Sequence, residues 1–244
     1  MKVSEIPKKR LSDLNRGIVS TTNLTEWLAV DQSLLLSAVA ENSNLPQLEK
    51  MRAQLPKVSV PQQISWIGKK LVEFSKWEQL DSHPSDIVQC WACYGRAGQA
   101  KGLKSALMAV KPFAESPHFG IREVAWMAVR DLICEQPEES IELLIPWAKN
   151  KSEYVRRFST EATRPRGVWA KHIKAFRENP APARPLLDLL HSDPSKYVQD
   201  SVGNWLNDAG KDHPAWVKKV VGDWKKKSTS PATKYIVKRA MRSL

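Results

Sequence analysis

The segment 156–171, Arg-Arg-Phe-Ser-Thr-Glu-Ala-Thr-Arg-Pro-Arg-Gly-Val-Trp-Ala-Lys, gathers one carboxylate, several cations and one indole. Pro165 stops the helix that starts near Ser152, so Glu161 falls in its last turn, where the helix dipole disfavours a negative charge. Arg157 stands four residues before Glu161 and Arg164 three after, so both are its helical neighbours. Trp169 follows a Pro-Arg-Gly turn and can fold back over the same helix end. Such a set can hold an anion, stabilise a cation or stack on a planar group. It can equally be an ion pair that pins the turn, with Trp169 as a plug beneath it. A second carboxylate, Glu123, stands near the start of a helical run, with Trp126 one turn and Arg130 two turns further on. It also reads as a first-turn acid favoured by the helix dipole.

Other chemistries find little support. Cys90-Trp-Ala-Cys93 has metal-type spacing but no second pair, and it lies in a helix-like run, so these thiols read as core. His83, His118, His172, His191 and His213 are scattered, and no metal site is expected. There is no phosphate-cradling glycine loop, no nucleophile elbow and no acidic cluster for a two-metal reaction.

The charge pattern points to a polyanion. The net charge is +12, and it is uneven: residues 149–177 carry +7 and residues 211–244 carry +8, while 78–148 and 178–210 are acidic at −4 and −3. Nucleic acid is the favoured partner because the ten tryptophans, interleaved with the basic blocks, offer stacking faces. An anionic membrane surface fits less well, since no helix sets a long apolar face against a Lys/Arg face. A solvated basic surface with no partner is the third reading. No apolar run is long enough to span a bilayer, and the N-terminus lacks a signal-peptide core. Three cysteines are an odd number in a long chain, which argues against a disulfide framework and for a reducing cytoplasm.

The elements that must position these residues are helices. Helical spacing of apolar residues predicts helices over 122–135, 138–149, 195–210 and 214–226, and a last one after Pro231. Residues 24–39, 46–55, 61–76 and 84–94 also read as helices, whereas no alternating strand pattern occurs. Residues 1–20 look like an arm or a partly disordered terminus holding a short helix at most, and 21–244 like a single domain. The helices repeat. Ser152-Glu-Tyr-Val lies 43 residues before Ser195-Lys-Tyr-Val, with related spacings of 34 and 38 for Gly120-Ile-Arg to Tyr154-Val-Arg and for Tyr197-Val to Tyr235-Ile. These spacings suit the two-helix units of HEAT-like solenoids. The expected fold is therefore an all-α superhelix whose inner helices line a concave basic groove.

At this point a family resemblance is carried by specific strings. These are Arg156-Arg157, Glu161-Ala-Thr-Arg-Pro-Arg-Gly-Val-Trp169, Tyr197-Val-Gln-Asp-Ser-Val-Gly-Asn-Trp-Leu-Asn-Asp208, Lys211-Asp-His-Pro214 and the closing Ile236-Val-Lys-Arg-Ala-Met-Arg-Ser-Leu244. The C-terminal half resembles the bacterial DNA alkylation-repair glycosylases built from HEAT-like repeats, on the AlkC side of the AlkC/AlkD-like superfamily. The resemblance implies removal of cationic N3- or N7-alkylated purines from double-stranded DNA, without metal or other cofactor, in a bacterial cytoplasm at the nucleoid; a monomer is the default expectation for a solenoid. It implies Glu161 as a catalytic acidic residue, Trp169 as an aromatic group beside the lesion and Glu123 as a second active-site glutamate. Arg130, Arg156, Arg157, Arg164, Arg166, Lys171, Lys211, Lys238 and Arg239 would then hold DNA. With the chain ending at Leu244, the immunoglobulin-like domain that follows in some AlkC-like proteins is expected to be absent. A non-catalytic binder of DNA structure and a protein-binding HEAT scaffold are the two alternatives.

Overall fold

Proline and small polar residues set most of the helix starts. Pro137, Pro214 and Pro231 each open a helix at its first turn, where a missing N–H costs nothing. Asp31 and Asn23 accept from backbone N–H groups of the helices they precede, and Ser59 forms a capping box with Gln62. A computed structural model describes residues 2–244, and its regular elements among these residues are all helical.

The chain forms two compact units, one comprising residues up to Lys101 with Ser105–Ala128, the other Gly102–Lys104 with Val129–Leu244. The first holds α1 (Lys8–Asn15), α2 (Leu24–Ala29), α3 (Gln32–Asn42), α4 (Gln47–Ala53), α5 (Val60–Leu71), α6 (Asp86–Gly98), nearly all of α7 (Leu103–Ala114), and α8 (Phe119–Ala128). The second holds α9 (Arg130–Glu135), α10 (Pro137–Ala148), α11 (Glu153–Glu161), α12 (Lys174–Glu178), α13 (Arg184–Leu189), α14 (Lys196–Gly210), α15 (Pro214–Lys227) and α16 (Pro231–Ala240).

In the first unit α6 is the central helix, packed on α5 and α8. A Cβ on Gly68 would stand 2.5 Å from the Trp91 carbonyl oxygen, so glycine is what lets α5 approach α6 this closely. The Trp91 indole is fully buried and donates to Gln32 Oε1 at 2.9 Å. Residues 2–20 are tied down over part of their length. Leu14 is buried, and Arg10 reaches Glu26 at 2.8 Å and the Ser20 carbonyl at 2.7 Å.

The second unit shows the repeat read from the sequence. α11, α14 and α16 pack side by side as one row; α10 pairs with α11, and α15 packs on both α14 and α16. Successive helices touch at or next to equivalent positions: the Tyr154 and Tyr197 rings meet edge to face at 6.1 Å, and Lys196 sits 3.8 Å from the Tyr235 ring centre. Gly203 on α14 faces Arg239 on α16 so closely that a Cβ would stand 2.8 Å from that of Arg239.

Several boundaries differ from the periodicity. The helix expected over 122–135 is two helices, since Val129 leaves helical geometry between α8 and α9. That over 24–39 breaks at Val30, where Asp31 caps α3. α5 ends at Leu71, short of 76, and Lys76 is left-handed. α7 carries an internal proline, Pro112, which obscured it in the sequence. Seven tryptophans are buried core residues, two are half-buried, and Trp169 alone is exposed. The expectation that tryptophans generally serve as stacking faces therefore narrows to that one.

Candidate functional site

α11 ends at Glu161, and the next ten residues run as turn and loop to Lys171. Glu161 is buried, at 5% exposure. Its Oε1 accepts from Arg164 Nη1 at 2.7 Å, its Oε2 accepts from Ser201 Oγ at 2.7 Å, and Arg157 Nη2 lies 3.6 Å away. Burial alone would raise the carboxyl; Arg157 and Arg164, with the Ser201 hydroxyl, hold it below the usual carboxylate range. Glu161 is thus an ionised buried carboxylate at neutral pH. Arg164 continues the chain of charges to Asp208, at 2.8 Å. Arg157 stacks over the Tyr197 ring, 4.4 Å from its centre.

Ser201, Asp208 and Tyr197 are the partners that sequence reasoning had not assigned to the site. A signal was present: Tyr197, Ser201 and Asp208 recur at four- and seven-residue spacing, along one stripe of α14. That stripe is the one facing α11.

Arg130 corrects one expectation. Placed by the sequence on DNA, it is 2% exposed and directs its guanidinium inward. Nε donates to the Lys171 carbonyl at 2.8 Å, Nη1 to the Ala162 carbonyl at 2.6 Å and Nη2 to the Arg164 carbonyl. Burial lowers its pKa to about 10, and it remains a cation at neutral pH. Its role is to clamp the loop after α11, and a Cβ on Gly167 would press on it at 3.2 Å.

Four further arginines expected on DNA are engaged within the fold. Arg156 grips Asp193 with two nitrogens, at 2.6 and 3.0 Å, and donates to the carbonyls of Asn150 and Lys151. Arg164 is held between two carboxylates as described, and Arg166 pairs with Asp212 at 2.9 Å. Arg239 spans Asn204 and Asp200 while half-exposed. Lys171, Lys211 and Lys238 are exposed, with Lys211 only 3.7 Å from Asp208.

Trp169 is 56% exposed and left-handed, with φ of +56°. It is therefore no plug beneath the turn; the loop presents its indole to solvent. Glu123 lies on α8 in the first unit, half-buried, and accepts from Trp126 Nε1 at 2.8 Å. Cys90 and Cys93 are buried, and desolvation pushes both thiols well above the ordinary range. Among the described residues no three His, Cys, Asp or Glu side chains gather as a metal-binding group, and no helix is long and apolar enough to cross a membrane.

Paired helices stacked in register, with a buried carboxylate between arginines and an exposed indole just beyond it, define an all-helical repeat protein with a charged site at one helix terminus. Residues 120–244 match the family model described as DNA alkylation repair enzyme, and the chain belongs to that family. Similar solved structures share the fold. The Pseudomonas fluorescens alkylpurine DNA glycosylase AlkC, solved bound to DNA containing an abasic site analog, superposes with a TM-score of 0.70 at 23% identity over 100% of this chain and 64% of that one. AlkD2 from Streptococcus mutans gives a TM-score of 0.65 at 18% identity over 88% of this chain and 99% of that one. An uncharacterized Bacillus subtilis protein, YhaZ, is 42% identical over 117 residues, 48% of this chain and 32% of its own length. The chain thus spans less than two thirds of the relative and of the AlkC structure it matches.

Proposed function

We propose that the protein is a monofunctional DNA glycosylase that hydrolyses the N-glycosidic bond of cationic alkylated bases, such as N3- or N7-methyl purines, in double-stranded DNA. It would act as a cytoplasmic monomer on chromosomal DNA. The observation that carries this reading is the ionised, buried Glu161 at the end of α11, eight residues before the exposed Trp169.

The chemistry suits these groups. Alkylation gives the purine a formal positive charge, which weakens the bond to the sugar before any catalyst acts. Departure of the neutral base leaves an oxocarbenium-like sugar, as in glycoside hydrolysis. A fixed carboxylate stabilises that developing charge, because its charge and orientation are set before the reaction. Arg157, Arg164 and Ser201 do this fixing for Glu161. They keep it ionised and limit its rotation. The electron-rich Trp169 face attracts the cationic base or the electron-poor sugar. Glu123, on α8, is the second active-site glutamate that the family resemblance implies. The exposed Lys171, Lys211 and Lys238 would hold the backbone, whereas the internally engaged arginines, Arg157 among them, would act by shaping the site.

The test uses duplex DNA carrying random methyl adducts, with released bases scored by mass. Wild type is expected to release N3- or N7-methyl bases, and Glu161→Gln to release none while retaining DNA binding. DNA binding without release by wild type would favour the non-catalytic DNA-structure binder. Absence of both would leave a helical scaffold.

A further inference from the structure

α15 buries Val217, Val220, Val221 and Trp224 against its neighbours. On its opposite side Lys218, Lys219, Lys225 and Lys226 are exposed, so, contrary to the expectation from the sequence, one helix does set a lysine face against an apolar one. Gly222 is three or four residues from each of the four lysines, so it lies at the centre of the square they outline on the helix surface. Nothing lies within 4 Å of the position a Cβ would take on Gly222. Packing therefore does not require glycine here, although glycine weakens a helix interior. Asp223, the acid of α15, is turned to Arg184 at 3.3 Å and leaves the square uncompensated. Among the described residues none of the four lysines has an ion-pair partner. Lys225 also borders an open groove of about 630 Å³, where Lys234 and Lys238 rise beside Val237 and Met241 of α16.

We propose that this face of α15, continued by the α16 lysines, is a second, sequence-independent grip on the phosphodiester backbone of duplex DNA. It shares no side chain with the Glu161 cluster, and only its α16 end, at Lys238, meets the backbone contacts proposed above. It rests on the reading of DNA as the partner. The arrangement suits a phosphate chain: ammonium point charges surround a bare patch of helix, where glycine lets the ligand backbone come close. The arginines of the second unit are largely paired with acids or carbonyls, so these lysines carry much of its uncompensated positive charge.

The experiment measures binding of a short undamaged duplex over a range of salt, for wild type and for a variant with Lys218, Lys219, Lys225 and Lys226 all changed to Gln. The log–log slope is expected to become shallower by about 3–4, with affinity at low salt falling on the order of 100-fold. Base release from methylated DNA at saturating protein stays at the wild-type level. In a second variant, Gly222→Glu, an acid stands among the four lysines. It is expected to melt higher, through new helical Glu–Lys pairs, and to bind DNA about ten-fold more weakly. An unchanged slope in the four-lysine variant, or undiminished binding by Gly222→Glu, overturns the proposal. If the slope falls as expected but wild type releases no base, the α15 face stands and the glycosylase reading fails. Failure of wild type to bind duplex DNA at all removes both.

Discussion

Glu161 and Trp169 are eight residues apart and occupy opposite physical settings. Glu161 is buried and bonded on both oxygens, so its orientation is fixed by neighbours on two helices. Trp169 is held out by the backbone, in a left-handed conformation that costs a non-glycine residue about 1–2 kcal/mol. A tryptophan kept exposed at such a position contributes little to the core. Trp169→Gly relieves the backbone strain and removes the indole. It is expected to keep or raise the melting temperature while lowering base release about ten-fold or more, as measured in parallel melts and single-turnover assays. Wild-type release by this variant would take the indole out of the reaction.

Among elements, the loop that carries Trp169 is clamped at three carbonyls by one side chain from another helix. Arg130 projects from α9 and collects the carbonyls of Ala162, Arg164 and Lys171. Removing it leaves those carbonyls without donors in a buried setting. Arg130→Ala is expected to cost about 3 kcal/mol or more, and to open the 162–173 loop to protease. Arg130→Lys should recover less than half of this, because an ammonium cannot reproduce the three-way guanidinium fork. Unaltered melting of Arg130→Ala would show that the loop is held by other contacts. The helix row has its own constraint at Gly203, where α14 and α16 approach over the Arg239 side chain.

At the scale of the whole molecule, each unit holds a carboxylate below its ordinary range. In the first, Glu26 is lowered to about 2, chiefly by its hydrogen bond to Arg10; in the second, Glu161 is lowered against its own burial by Arg157 and Arg164. A carboxyl with a depressed native pKa stabilises the fold at pH values above its unfolded value, about 4.3, and that contribution is lost as pH falls through the native value. The melting temperature is therefore expected to hold from neutrality to about pH 5 and to drop below that. Glu26→Gln should flatten part of the acid limb, with a loss at neutral pH of about 2 kcal/mol once the partial exposure of Arg10 is allowed for. Calorimetry of wild type, Glu26→Gln and Glu161→Gln between acid and neutral pH would check this. Equal slopes for all three would show that other groups govern acid unfolding.

The sequence alone carries the helical class and the register of the repeat. Both rest on short-range rules: apolar spacing along a helix, proline at first turns, and recurrence of Ser-x-Tyr-Val at the starts of α11 and α14. It also made the Glu161–Trp169 string visible, because its parts are close in the chain. Tertiary structure decided which charges face inward. Arg130, Arg156 and Arg164 look like phosphate ligands, yet besides any near neighbour, such as Glu161 for Arg164, each bonds a group 32 to 44 residues away in sequence. No local pattern reveals such a pairing. It likewise decided that most tryptophans are core and that Trp169 is not, since burial depends on what the rest of the chain packs against each ring.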